Sequence, residues 1–198
     1  MNKVVAISRQ YGSAGRLIGM KLAEKLGISC YDSSLLDRIA EKTGFDRKFI
    51  KESGEYTASG SWLLSALAGR DYNGHSIQDE IWNVQREVII ELAAKESCVV
   101  VGRNADYILN GKAKILSVFI HASEEARIQR VVNEYKEVTY NEDPRRRLRQ
   151  MDKRRRAYCQ LYTDVHWGEA RFYDVCLDSS KFGIEACVDI LTGCYNRL

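Results

Sequence analysis

The first 26 residues combine a strand pattern, a small-residue turn and a helical pattern, and this order limits the fold more than any other feature of the chain. Apolar residues run from Val4 to Ile7, small residues follow from Gly12 to Gly15, and apolar residues then recur at helical spacing up to Leu26. Small residues let backbone N–H groups approach an anion, and the following helix points its positive dipole end at the same place. The segment predicts a phosphate-binding loop formed by Gly12, Ser13, Ala14, Gly15 and Arg16.

The strict phosphate-loop motif, G-x-x-x-x-G-K-[ST], is incomplete in this chain, which has neither the lysine nor the adjacent hydroxyl residue. Arg16 is the candidate replacement for the lysine, because a guanidinium is always charged and can hold phosphate through two hydrogen bonds. Taken alone, a Gly-Ser-Ala-Gly turn after a strand is explained equally well as a tight connection between a strand and a helix.

Strand and helix patterns alternate over the whole chain. Strands are predicted at residues 4–8, 28–31, 98–101, 115–120 and 173–177, and helices at 14–26, 34–50, 62–68, 76–95, 123–136, 144–162 and 184–191. Asp143 and the chain's only proline, Pro144, are placed to begin the helix at 144. This alternation predicts an α/β fold in which helices flank a parallel sheet on both faces.

Composition favours a single domain without metal or membrane chemistry. A chain of 198 residues with 45% hydrophobic content can bury one sizeable core. The six cysteines form no C-x-x-C pair, so we expect reduced core thiols and no metal site. No apolar run approaches membrane-spanning length, and the first residues lack a signal-peptide pattern, so we expect a cytoplasmic protein that does not bind membranes.

Positive charge is concentrated in one segment. Residues 145–156 hold eight of the 30 Lys and Arg residues but only one of the 27 Asp and Glu residues, and the net charge of the chain is +3. Such a run in isolation is typical of a solvated helix or a nucleic-acid-binding helix. Nucleic-acid binding therefore stays open as an alternative function, with a steep salt dependence of affinity as its signature.

Polar residues follow three of the predicted strands, at 8–16, 32–38 and 102–104. In a parallel α/β sheet the ligand site lies beyond the carboxyl ends of the strands, so these three turns should meet. With the basic helix they would place Arg9, Arg16, Arg38 and Arg103 around one crevice, an arrangement suited to a ligand with several phosphates.

An ordered set of motifs resembles the nucleoside monophosphate kinases, and among them the cytidylate kinase-like family. The matching segments, which together extend over most of the chain, are Ala23-Glu24-Lys25-Leu26, Tyr31-Asp32-Ser33-Ser34-Leu35-Leu36-Asp37-Arg38, Arg86-Glu87-Val88-Ile89-Ile90, Gly102-Arg103-Asn104, Phe119-Ile120-His121-Ala122-Ser123-Glu124-Glu125-Ala126-Arg127, Asp152 to Arg156, and Leu177-Asp178-Ser179-Ser180-Lys181-Phe182-Gly183-Ile184-Glu185. Each motif is weak alone, whereas their order and spacing are specific.

The resemblance implies transfer of the γ-phosphoryl group of ATP to a nucleoside monophosphate, with CMP or dCMP as the expected acceptor. It implies one domain, 1–198, with a core of residues 1–34 and 96–198, an acceptor-binding helical insertion at about 35–95 and an arginine-rich lid at about 145–165. The implied acceptor residues are Asp32, Ser33, Arg38, Arg86, Arg103 and Asn104, and the implied catalytic residues are Arg16, Arg149, Arg154, Arg155 and Arg156. Positioning and charge compensation would provide the catalysis.

Two departures from the family pattern bear on mechanism. The family's phosphate-loop lysine falls on Gly15, and the hydroxyl residue that would hold Mg²⁺ falls on Leu17, so Mg²⁺ would be held mainly through phosphates and water. Asn104 stands where the family has aspartate, which affects the preference for cytosine. Small-molecule nucleotides are the expected partners. The alternatives are a non-catalytic nucleotide-binding protein, a kinase with another acceptor, and a nucleic-acid-binding protein.

Overall fold

The computed structural model describes residues 1–32, 34–53, 77–136 and 142–198. In these ranges a five-stranded sheet consists of β1 (Lys3–Arg9), β2 (Ser29–Tyr31), β3 (Cys98–Val101), β4 (Lys114–His121) and β5 (Val175–Asp178). The strand order is β2-β3-β1-β4-β5 and every neighbouring pair is parallel. The predicted α/β fold with a parallel sheet is confirmed.

Eight α-helices are assigned within the described ranges. They are α1 (Gly15–Leu26), α2 (Ser34–Thr43), α3 (Arg47–Ser53), α4 (Ile77–Lys95), α5 (Ala105–Leu109), α6 (Glu124–Gln129), α7 (Pro144–Tyr162) and α8 (Ser179–Arg197), with a π-helical segment at Arg130–Glu134 and a 3₁₀ turn at Ala170–Phe172. None of them is both long enough and apolar enough to cross a bilayer. The predicted helix at 62–68 and the capping residue Ser76 lie outside the described residues.

The hydrophobic core has two layers, one on each face of the sheet. Alternate residues of β1 point to opposite faces: Val4 and Ala6 pack against α2, α4 and α5, whereas Val5 and Ile7 pack against α1 and α8. Strands covered on both faces read as continuous apolar runs, which explains the sequences of β1 and β3. Because α1 and α5 leave the carboxyl ends of β1 and β3 toward opposite faces, a crevice opens between the two connections.

Three predicted helices have different boundaries in the structure. The helix predicted at 34–50 is divided into α2 and α3, since Gly44 adopts a left-handed φ of 71° and the Asp46 carboxylate accepts from the Lys48 N–H at 2.8 Å. The helix predicted at 123–136 changes from α to π geometry at Arg130. The last helix begins earlier than predicted, at Ser179, and Gly183 interrupts its helical geometry with φ 77° and ψ 169°.

The basic helix α7 begins as predicted, because the Asp143 carboxylate accepts a hydrogen bond from the Arg145 N–H at 3.0 Å and Pro144 occupies the first turn. Its buried residues Leu148 and Met151 form a small core with Tyr11 of the β1–α1 connection. The basic helix is therefore packed on the turn that follows β1.

Candidate functional site

The β1–α1 connection has the backbone geometry of a phosphate-binding loop. Gly12 and Ala14 adopt left-handed φ values of 78° and 60°, and Ser13 is fully buried with its hydroxyl donating to the Gln10 carbonyl at 2.8 Å. A Cβ at Gly12 would lie 2.9 Å from the Arg127 carbonyl oxygen, so only glycine fits this close approach. Turns that contain left-handed residues form concave surfaces of N–H groups that bind anions.

Cationic and hydroxyl side chains hold the carbonyl side of this loop. The bonds run from Arg155 Nη1 to Arg9 O at 2.9 Å, from Arg127 Nε to Tyr11 O at 2.7 Å, from Arg130 Nη1 to Gly12 O at 3.2 Å, and from Ser179 Oγ to Ser13 O at 2.7 Å. A trans peptide points its N–H away from its C=O. The N–H groups of Gly12 and Ala14 are therefore directed to the opposite side, where an anion could lie.

Asp152 fastens α7 to the loop. Its carboxylate accepts a hydrogen bond from the Tyr11 N–H at 2.8 Å and forms an ion pair with Arg127. The two side chains of this pair are only 14% and 9% exposed. Arg155, one helical turn further along, lies over the Tyr11 ring with 5.7 Å between its guanidinium carbon and the ring centroid. The helix predicted as a lid is in contact with the loop in this structure.

The lysine and hydroxyl positions of the motif are occupied by residues that cannot take those roles. Gly15 packs against β1, because a Cβ built there would lie 2.6 Å from the Arg9 Cβ. Leu17 is half-buried and offers no oxygen, so the chain provides no hydroxyl for Mg²⁺ at this point. Arg16 has a 63% exposed side chain and pairs with Asp32 at 2.5 Å. Arg16 and Asp32 both line a cavity of about 430 Å³ between α1 and β2.

The turn after β3 brings Arg103 to the same edge of the sheet. Arg103 is 5% exposed and adopts a left-handed φ of 62°, and its Nη1 donates to Gln85 Oε1 at 3.3 Å. Gln85, which is fully buried on α4, also bonds Tyr158 of α7, with its Nε2 2.9 Å from the phenol oxygen. This network connects the turn after β3 to two helices that border the crevice.

Asn104 follows Arg103 in the same turn and is also buried. Its Nδ2 atom is buried and has no hydrogen-bond partner within the described part of the chain, although buried amides are normally paired. Asn104 also has a left-handed φ, 53°, which directs the backbone into α5. Two residues on, burial raises the pKa of the Asp106 carboxyl, while hydrogen bonds from the Tyr107 and Asp106 backbone groups partly oppose this shift.

The remaining predicted residues are exposed or half-buried or lie outside the described residues. Arg38 is exposed, with its guanidinium carbon 5.7 Å from the centroid of the Tyr31 ring, and Arg86 is exposed on α4. On α7, Arg149 is exposed and Arg156 lies 5.8 Å from the Trp167 ring centroid. Arg154 is half-buried, and burial lowers its pKa with a contribution from nearby Arg147. Ser33 is outside the described residues.

Several residues of this site are not assigned a role by the sequence analysis. They are Gln85, Arg127, Arg130 and Asp152. Two of them could have been found from the sequence, because Arg127 ends one of the family-like segments and Asp152 is the one acidic residue of the basic run. No sequence pattern marks Gln85 or Arg130, because their roles depend on contacts between elements distant in sequence. Asp178 caps α8 by accepting from the Ser180 N–H at 2.9 Å.

Comparison with known proteins matches the cytidylate kinase-like family to residues 4–181 of this chain. The chain belongs to the cytidylate kinase-like family. This cytidylate kinase-like protein is 25% identical over 173 residues to a cytidylate kinase of Methanosarcina mazei, an alignment that covers 87% of this chain and 88% of that protein. Membership in this family supports a nucleotide kinase as the general class of the protein.

Two solved structures share the fold of this cytidylate kinase-like protein. An uncharacterized protein from Eubacterium ventriosum aligns over 100% of both chains with 26% identity and a TM-score of 0.70. A shikimate kinase from Bacteroides thetaiotaomicron aligns over 98% of both chains with 14% identity and a TM-score of 0.56. The second likeness concerns the fold alone, which is thus one that kinases use.

Proposed function

We propose that the protein transfers the γ-phosphoryl group of ATP to a nucleoside monophosphate, with CMP or dCMP as acceptor, among the nucleotides of the cytoplasm. The observation that carries this proposal is a β1–α1 connection in which three guanidinium groups hold the carbonyls of Arg9, Tyr11 and Gly12, in a chain of the cytidylate kinase-like family. Positive charge on the carbonyl side and N–H groups on the other side both favour a polyphosphate at the loop.

The donor would bind through the loop of Gly12, Ser13, Ala14, Gly15 and Arg16. Phosphoryl transfer demands little covalent chemistry from a protein, so these groups would position the phosphates and compensate their charge. Because Leu17 supplies no oxygen, Mg²⁺ would enter as part of the MgATP substrate, held by phosphates and water. Arg149, Arg154 and Arg156 lie on different sides of α7, so one or two of them would contact the transferring group. Arg155 would act through the loop by holding the Arg9 carbonyl.

The acceptor would bind on the side of the crevice formed by Asp32, Ser33, Arg38, Arg86, Arg103 and Asn104. Arginine is suited to a monophosphate because its fork matches two phosphate oxygens. The buried Nδ2 of Asn104 is a hydrogen-bond donor, whereas the family's aspartate at this position is an acceptor when ionised. This change would favour an acceptor atom on the nucleobase, such as the O2 or N3 of cytosine, over its exocyclic amine.

The test mixes the purified protein with MgATP and, separately, CMP, dCMP, UMP, AMP and GMP, and measures the nucleoside diphosphates formed. We expect turnover of CMP or dCMP, and loss of that turnover in Arg38→Ala and Arg103→Met. Arg171→Ala is the matched control, because it removes one arginine whose side chain is 69% exposed and already pairs with Glu169. Turnover restricted to another monophosphate would refute the cytosine preference.

A non-catalytic nucleotide-binding protein is the second candidate, favoured by the closed lysine position at Gly15 and by Leu17 at the hydroxyl position. It predicts that ATP binds with no diphosphate formed from any monophosphate of the panel. Calorimetric titration of ATP beside the turnover assay distinguishes the two functions, since a kinase must show both binding and product.

A further inference from the structure

Compared with the complete phosphate-loop motif, the small residue and the long cationic residue have exchanged places at positions 9 and 15. The motif begins with glycine and carries lysine six residues later, whereas this chain has Arg9 and Gly15 at that spacing. A Cβ at Gly15 would lie 2.6 Å from the Arg9 Cβ, 3.1 Å from the Arg9 Cγ and 3.3 Å from the Ile120 Cβ. The stem of Arg9 therefore occupies the space that a long side chain at position 15 would require.

From this packing we infer that Arg9 supplies to the donor phosphates the positive charge that the lysine of a complete phosphate loop supplies. Arg9 is the last residue of β1, three positions before Gly12, and is 9% exposed. A guanidinium at such a site keeps its charge at every physiological pH and can contact two phosphate oxygens. Exclusion of water strengthens its attraction for a phosphate.

The other arginines near the loop have different positions. Three of them donate to loop carbonyls or to the carbonyl before the loop: Arg127, Arg130 and Arg155. The Arg16 side chain is 63% exposed and pairs with Asp32, which directs the guanidinium toward β2 and leaves Arg16 to contribute its backbone N–H to the donor loop. Arg9 is the arginine whose stem lies against the first turn of α1, where the dipole of that helix also favours an anion.

This inference deepens the proposed function, on which it rests for the identity of the donor. It predicts that the affinity for phosphate ligands depends on the positive charge at position 9. Arg9→Met keeps the stem and removes the charge, so the affinity for ATP and for inorganic tripolyphosphate should fall about 10- to 100-fold, as expected for lost charge-assisted hydrogen bonds. Adenosine affinity should change less than about twofold, because adenosine has no phosphate. Arg9→Lys should recover most of the loss.

A rescue variant tests whether the two positions share one space. Gly15→Lys alone would force the new side chain onto the Arg9 stem, and Arg9→Gly alone would remove the charge. The double variant Arg9→Gly/Gly15→Lys removes the Arg9 Cβ and returns a cation at position 15, so it should bind tripolyphosphate more tightly than either single variant. Thermal unfolding of each variant, beside Arg171→Ala, verifies that the folded state is retained.

The outcomes separate this inference from the proposed function. Loss of ATP affinity in Arg9→Met supports the inference even if the wild-type protein phosphorylates no monophosphate. Unchanged ATP affinity in a folded Arg9→Met variant overturns the inference and leaves the kinase function intact if wild-type turnover is observed. No binding of ATP or tripolyphosphate by the wild-type protein, or no recovery by a folded double variant, also overturns it.

Discussion

The ion pair between Arg127 and Asp152 should be the most costly single contact of α7 to disrupt. Asp152 joins α7 both to Arg127 on α6 and to the Tyr11 N–H of the β1–α1 connection. The substitution Asp152→Asn retains an oxygen that can accept from Tyr11 but removes the charge opposite Arg127. It therefore leaves a 9% exposed guanidinium side chain without its carboxylate partner.

The expected cost follows from the burial of the pair. Removing one partner of a fully buried pair costs about 3–5 kcal/mol. Because the Asp152 side chain keeps 14% exposure and asparagine retains one hydrogen bond, we expect a loss in the free energy of unfolding of about 2–3 kcal/mol. For a domain of this size that corresponds to a fall in Tm of about 5–10 °C.

Urea unfolding followed by circular dichroism measures this loss, and Asp189→Asn is its matched control. Asp189 pairs with Lys25 at 2.5 Å on the surface with 66% exposure, and such pairs contribute less than about 1 kcal/mol. Hydrogen exchange at the Tyr11 amide provides a local readout and should accelerate only in the Asp152 variant. Equal losses in the two variants would show that burial of the Arg127 pair does not stabilise α7.

Three further results are expected. Gly12→Ala should lower the free energy of unfolding by about 2–4 kcal/mol, because a φ of 78° is unfavourable for alanine and the new Cβ would lie 2.9 Å from a backbone carbonyl of α6. Gly111→Ala is its control, since Gly111 has a similar φ of 73° but open space around it. The control should lose only about 1–2 kcal/mol in the same urea titration. Asp106→Asn should raise the free energy of unfolding at pH 7, and this gain should shrink as the pH falls toward about 4. The reason is that burial raises the folded-state pKa of Asp106, so its ionisation above the unfolded-state pKa destabilises the folded protein. A gain that is the same at both pH values would contradict this assignment. Burial raises the pKa of Cys30 to about 11 and that of Cys98 to about 12, so both thiols should alkylate slowly at pH 8 until urea unfolds the protein, and rapid native labelling would refute their burial.

The elements that the sequence predicted best are those with strong local signals. The apolar run of β3 and the Asp143-Pro144 start of α7 lie where the pattern placed them. The break at Gly44 and the π-helical turn at Arg130 were missed, because glycine is tolerated inside helical patterns and the π turn has no periodicity of its own.

The sequence by itself determined the strand–turn–helix order of residues 4–26, the α/β class of this protein and its family-like order of motifs, since each is visible in residue types and their spacing along the chain. The tertiary structure decided how the charges are used. Arg155 is directed at a backbone carbonyl, Arg16 is paired with Asp32, and Arg9 lies against Gly15. These choices depend on which residues the parallel sheet and the packing of α7 bring within contact distance, and no spacing along the chain encodes that distance.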